Sequence, residues 1–170
     1  MINAQVRALG PNLFVSPEQI VRKSVILAKA DKAQHISVAG PDSLAAMIAL
    51  CRAGFDHVEC ARQATCACAD EASDVLLILG RHSPEELAGV LARTCRLLRD
   101  GGVLVVQLDG PGDAVAIRQA LERGGMRIGS TVHDLAPGRL ISHTVERNGT
   151  LRTHAAGAAS LAPQRATSGE

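Results

Sequence analysis

Residues Asp74-Val75-Leu76-Leu77-Ile78-Leu79-Gly80 form an apolar run bounded by an acidic residue and a glycine. A strand with one wet face alternates apolar and polar residues. A run without alternation fits a strand covered on both faces, as in a parallel sheet. Val103 to Leu108 repeats the pattern. Parallel neighbours need crossover connections, and a helix signal stands between the two runs and another before them. Ser16-Pro17-Glu18-Gln19 and Ser83-Pro84-Glu85-Glu86 each place a serine N-cap, a proline at the first helical position and Gln or Glu at the third.

The alternation extends along the chain. The first capping motif predicts a helix to about Lys29, followed by a short strand from Gln34 to Ala39. Asp42 to Arg52 reads as a helix stopped by Gly54, and its nearly all-round apolar surface predicts burial against a sheet. His57 to Cys60 is a second brief strand. The helix opened by Ser83 is expected to run to Asp100-Gly101-Gly102, and another spans Gly112 to Arg123. Met126 to His133 and Arg139 to Glu146 flank Ala136-Pro137-Gly138, a terminal β-hairpin signature. These elements predict a Rossmann-like α/β fold: a mostly parallel sheet with flanking helices and a C-terminal antiparallel β-hairpin. The expected organisation is an N-terminal segment and helix over 1–33, the α/β domain over 34–149 and a flexible tail over 150–170.

Composition excludes several functions. The net charge is +1 and the charges are interspersed, so no electrostatic footprint for nucleic acid exists. Phe14 and Phe55 are the only aromatics, which argues against base-stacking platforms. No apolar run approaches the ~20 residues of a membrane span, and no secretory core is evident. The expectation is a cytoplasmic protein with no nucleic-acid or membrane partner. Five cysteines, an odd count, read as reduced thiols, with Cys51 and Cys95 as small buried hydrophobes of helices.

Cys95-Arg96-Leu97-Leu98-Arg99-Asp100-Gly101-Gly102-Val103-Leu104-Val105-Val106 resembles a segment of the class I S-adenosylmethionine-dependent methyltransferases. In that family a helix ends in a Leu-Leu-Arg-Pro-Gly-Gly turn and enters the fifth strand. Asp74 to Gly80 is similar to the fourth strand, and the terminal hairpin to the sixth and seventh. The resemblance covers residues 34 to 147. It implies a seven-stranded sheet with one antiparallel strand and the cofactor S-adenosylmethionine across the strand ends at the topological switch point. It places the cofactor loop on Ala39, Gly40, Pro41, Asp42 and Ser43, the ribose-binding acid near Glu59, and the cap of the fourth strand on Gly80, Arg81 and His82. The cofactor-binding candidates are therefore Gly40, Asp42, Ser43, Glu59, Gly80 and His82.

The chain departs from the family pattern. Its loop holds one glycine, Ser37 or Ala39 stands where the family has an acid, and Pro41 removes an N–H donor. About 13 residues lie between Cys60 and Asp74, too few for a helix, a strand and a second helix. At most one short strand, Thr65 to Ala69, fits there.

Each candidate has a plainer reading. Asp42 or Ser43 simply caps the following helix, Glu59 is a surface carboxylate, and the Asp109-Gly110-Pro111-Gly112-Asp113 loop is a turn. His82 sits where open α/β sheets place their chemistry and is a candidate general base, with no partner visible. His57, Cys60, Cys66 and Cys68 put four soft ligands within twelve residues, although without paired Cys-x2-Cys knuckles; no metal ligand is assigned. The ranking puts first a degenerate methyltransferase-fold protein, a non-catalytic binding or regulatory domain acting through protein association. An active S-adenosylmethionine-dependent methyltransferase is the alternative, and a Cys/His metal-binding module comes last. The expected partner is a second copy or another protein, covering the face exposed by the curtailed sheet.

Overall fold

The computed structural model describes residues 16–61, 72–110, 112–134 and 139–147. The elements are α1 (Pro17–Ala28), β1 (Ile36–Ala39), α2 (Ser43–Arg52), β2 (Val58–Cys60), β3 (Ser73–Ile78), α3 (Pro84–Thr94), β4 (Leu98–Gln107), α4 (Asp113–Arg123), β5 (Met126–Asp134) and β6 (Leu140–Arg147). Among the described residues the strands form one sheet in the order β2-β1-β3-β4-β6-β5. The β1–β2, β1–β3 and β3–β4 pairs are parallel, and β6 is antiparallel to both its neighbours. Of these six strands, β6 alone runs against the rest.

The apolar run in β3 explains why both faces are covered. Val75, Leu77 and Leu79 pack with α1 and α2 residues such as Val21, Ala46 and Leu50. Leu76 and Ile78 pack with Leu87, Leu91 and Ile117 of α3 and α4. Leu76, Leu77 and Ile78 have no exposed surface, and burying each such side chain stabilises by roughly 1.5–3 kcal/mol.

Both capping motifs close as capping boxes. Ser16 and Gln19 bond reciprocally at α1, as do Ser83 and Glu86 at α3. The Ser83 bonds hold the Glu86 carboxyl below its usual pKa. Lys29 ends α1 in the left-handed conformation.

Three expectations change. The helix opened by Ser83 does not reach Asp100. It stops at Thr94 and tightens into a 3-10 turn over Cys95–Leu97, and β4 already begins at Leu98. Leu98 pairs with Ser73, and a register shift follows before Val103 pairs with Val75. The Leu98-to-Gly102 stretch is thus an irregular strand entry, with Gly101 in the left-handed region. Leu98 is buried there, so sheet pairing takes the residues the helix would have used. Second, α2 is not buried all round, since Leu44 and Ile48 are 49% and 43% exposed. Third, Cys51 is exposed on the same helix, whereas Cys95 is buried and its thiol pushed up in pKa by burial. The expected strand at Thr65 to Ala69, the hairpin turn at Ala136 to Gly138 and the tail lie outside the described residues.

Candidate functional site

The chain leaves β1 through α2 to reach β2 on one side, and β3 lies on the other side of β1. The gap between the β1 and β3 ends is therefore the switch point, where open sheets bind ligands. Two glycines set its geometry. Gly40 and Gly80 both have left-handed backbones, with φ of 98° and 99°. A Cβ at Gly40 would stand 2.2 Å from the Leu79 carbonyl oxygen, and one at Gly80 would stand 3.0 Å from the Asp42 nitrogen. Each turn is pressed against the backbone of the other, which only glycine permits.

Four of the donors in these turns bond to the chain itself. Asp42 N–H donates to the Leu79 carbonyl at 3.5 Å and Ser43 N–H to the Gly40 carbonyl at 3.2 Å. Gly80 N–H donates to Gln107 Oε1 at 3.0 Å, and His82 N–H to Asp109 Oδ2 at 2.7 Å. Pro41 contributes no N–H. Asp42 occupies the N-cap of α2, yet its side chain makes no capping bond, so simple capping does not account for its carboxylate. The Asp109 loop is a turn as its composition implies. Buried Asp113 accepts from Asp109 N–H at 2.7 Å and Gly110 N–H at 2.8 Å; Pro111 lies outside the described residues.

A cavity of about 740 Å³ adjoins the switch point on the α3 side, with Gly40, Ala61, Arg81, His82, Glu86 and Arg93 in its walls. His82 is 7% exposed, and its Nε2 is buried without a partner. Burial lowers its pKa, against the opposing pull of Asp109, Asp113, Glu86 and Asp42. The ring is therefore neutral at neutral pH and free to accept or donate one hydrogen bond. Gly40, Gly80, Asp42 and His82 are thus brought together.

Ser43 touches this cluster through its backbone only, and Glu59 is engaged elsewhere. Ser43 is buried at the start of α2 and accepts from the Cys60 thiol at 3.4 Å. Glu59 accepts from Ser37 Oγ at 2.5 Å, and Ser37 Oγ also lies 2.5 Å from Ser73 Oγ. Its carboxylate is tied to the sheet by its register partner on β1. His57 stacks on His35 with ring centroids 4.6 Å apart, and no cluster of metal-ligating residues occurs among the described residues. Cys66 and Cys68 lie outside them. Sequence reasoning alone does not single out Gln107. Its signal is a polar residue at the end of the apolar run Val103 to Val106, beside the Gly80 turn.

No family model and no curated protein matches the chain. Solved structures do. A protein of the NADB-Rossmann superfamily from Streptococcus agalactiae is 15% identical, covers 81% of this chain and 70% of its own, and has a TM-score of 0.52. A SAM-dependent O-methyltransferase from Thermotoga maritima is 12% identical over 78% of this chain and 66% of its own, with a TM-score of 0.50. Magnesium protoporphyrin IX methyltransferase from Synechocystis, solved with bound SAM, is 14% identical over 76% and 79%, again with a TM-score of 0.50. At such identities the likeness establishes architecture. No helix among the described residues is long and apolar enough to cross a membrane. The chain thus carries a class I S-adenosylmethionine-dependent methyltransferase-like fold.

Proposed function

We propose that this chain is a methyltransferase-fold domain that does not transfer methyl groups and acts through protein association, first of all with a second copy of itself. The observation that carries this reading is the hydrogen bonding of the switch point. A cofactor carboxylate there needs free backbone N–H groups. Those of Asp42, Ser43, Gly80 and His82 bond within the chain, and Pro41 has none.

The exposed face of α2 supplies the association surface. Leu44, Ile48 and Cys51 recur at helical spacing on its solvent side. A helix following β2 by a right-handed crossover in the same direction would lie beside α2. Only the ten residues 62–71 join Ala61 to Ala72, too few for such a helix and the strand after it. The stripe of a second copy matches this one by symmetry, and an antiparallel pairing sets the Asp42 end of one helix against the Arg52 end of the other.

Two measurements test the reading. Titration calorimetry with S-adenosylmethionine and its demethylated product is expected to give no heat, and sedimentation a dimer that Ile48→Glu converts to monomer. Saturable heat together with methyl transfer by a strict monomer overturns it. The cavity of about 740 Å³ beside Gly40 and His82 favours the second reading, S-adenosylmethionine binding and methyl transfer, and the same titration decides between the two.

A further inference from the structure

A second cavity, of about 540 Å³, lies between α4 and the β5–β6 hairpin. It is separate from the switch point, and its chemistry is the same whether or not that site holds a cofactor. Its floor is apolar, with Leu121, Met126 and Ile141 all in the core between the sheet and the α3–α4 layer. Its polar groups come from sheet register. Thr131 and His143 are cross-strand partners, and Thr131 Oγ1 lies 2.9 Å from His143 Nδ1. His133 follows Thr131 by two residues and so shares its face. Arg118 of α4 stands across from them in the cavity wall.

His143 is the group the fold leaves incomplete. It is 4% exposed, and its Nε2 is buried without a partner. Native interiors rarely leave such an atom bare. The Thr131–His143 contact permits either tautomer; the form in which the Thr131 hydroxyl donates to Nδ1 carries its proton on Nε2 and offers a donor, and what that form lacks is an acceptor. Besides Arg127, paired with Glu146 at 3.2 Å, the wall carries one arginine, Arg118, and one carboxylate, Glu122, and Arg118 is the charged donor the wall offers an acceptor.

We infer that this cavity binds a small oxyanion, the carboxylate or phosphate group of a small molecule, held by the buried His143 donor and by Arg118 and His133 at the mouth. The electrostatics agree. The His143 pKa is pushed down to about 4 by burial first, then by His133 and Arg118. An anion seated among these groups reverses the last two influences and favours protonation.

The test follows the imidazole signals by NMR while inorganic phosphate or acetate is added to the full chain, with chloride at matched ionic strength as reference. Saturable shifts of His143 are expected, with its pKa raised by a unit or more. Phosphate acting at lower concentration than acetate identifies a phosphoryl ligand, and the reverse order a carboxylate. Arg118→Gln, a substitution that leaves the core untouched, is expected to weaken binding at least tenfold. The inference is overturned if neither anion shifts His143 beyond the chloride reference. It is equally overturned if Arg118→Gln binds as the parent does. Because Arg118 is outside the core, that arm stands even if variants of His143 itself fail to fold.

Discussion

The two cavities hold the two buried histidines that lack a partner on Nε2 among the described residues, and they differ in what surrounds them. Beside His82 lie turns whose N–H groups bond to Leu79, Gly40, Gln107 and Asp109, with four carboxylates acting on the ring. Beside His143 lie a hydroxyl, a second imidazole and Arg118. The first region is where the fold places a ligand, yet four of its backbone donors are spent on holding the chain together. The second is peripheral to the sheet's switch point, yet it keeps a donor in reserve. A site's position in a fold and its capacity to bind are thus separate properties.

The sharpest way to break this comparison is to insert a methyl group at each place. Gly40→Ala puts Cβ 2.2 Å from a backbone oxygen at a φ of 98°, where neither partner gives way. It is expected to cost about 4 kcal/mol in urea unfolding, from strain and displaced backbone together. Gly129, at the β5 bulge, has an ordinary backbone, and a Cβ there would meet the flexible end of Glu146 at 3.1 Å. Gly129→Ala is expected to change stability by no more than about 0.5 kcal/mol. Equal losses would mean that the switch point is no more closely knit than the hairpin.

The pH dependence of stability separates the two histidines next. His143 has a folded pKa of about 4, below the ordinary imidazole value of 6.5. As pH falls below 6.5 the unfolded chain takes up a proton that the folded chain refuses. Stability is therefore lost between pH 6.5 and 4, and no further loss from this group occurs below that. The size is about 3 kcal/mol, from about 1.4 kcal/mol per pKa unit. His82 acts in the same direction, its burial opposed by carboxylates. Urea midpoints measured across this window are expected to flatten more in His143→Gln than in His82→Gln. A larger flattening in His82→Gln reverses the comparison.

The β3–β4 pair is legible in sequence because it is marked twice, by the apolar runs Val75 to Leu79 and Val103 to Val106 and by the Ser83 cap between them. Gly40, Gly80 and His82 are legible as neighbours because strand ends of a parallel sheet meet at a switch point. How the turns interlock is not. A single glycine in the Gly40 turn reads as a weakened cofactor loop, whereas the matching glycine, Gly80, sits in the turn that follows β3. The end of α3 is ambiguous because Leu97 and Leu98 suit a helix as well as a strand, and pairing with Ser73 decides between them. Cys51 reads as buried from its apolar neighbours, whereas it lies on the exposed side of α2 with Leu44 and Ile48. His143 carries no signal: in Ser142-His143-Thr144 any of the three residues suits a buried face, and only pairing with Thr131 beneath α4 shows that His143 faces the second cavity.

The smallest expected effect probes that pairing directly. Thr131→Val keeps the shape of the side chain and its exposed position on β5 and removes the hydrogen bond made to His143 Nδ1. The net loss expected is about 1 kcal/mol, typical of a neutral hydrogen bond. Its consequence for the ring is more telling than its size. Without the hydroxyl, neither nitrogen has a partner, so the proton is no longer directed to one of them. Nitrogen chemical shifts of the imidazole are expected to move from a single tautomer toward a mixture. In a double-mutant cycle, Thr131→Val on a His143→Gln background is expected to cost less than it does alone, because the interaction it removes is already altered. Additive losses would show that Thr131 acts through the strand and not through the imidazole. The donor facing the second cavity would then be unoriented, and the contrast between the two histidines would rest on charge alone.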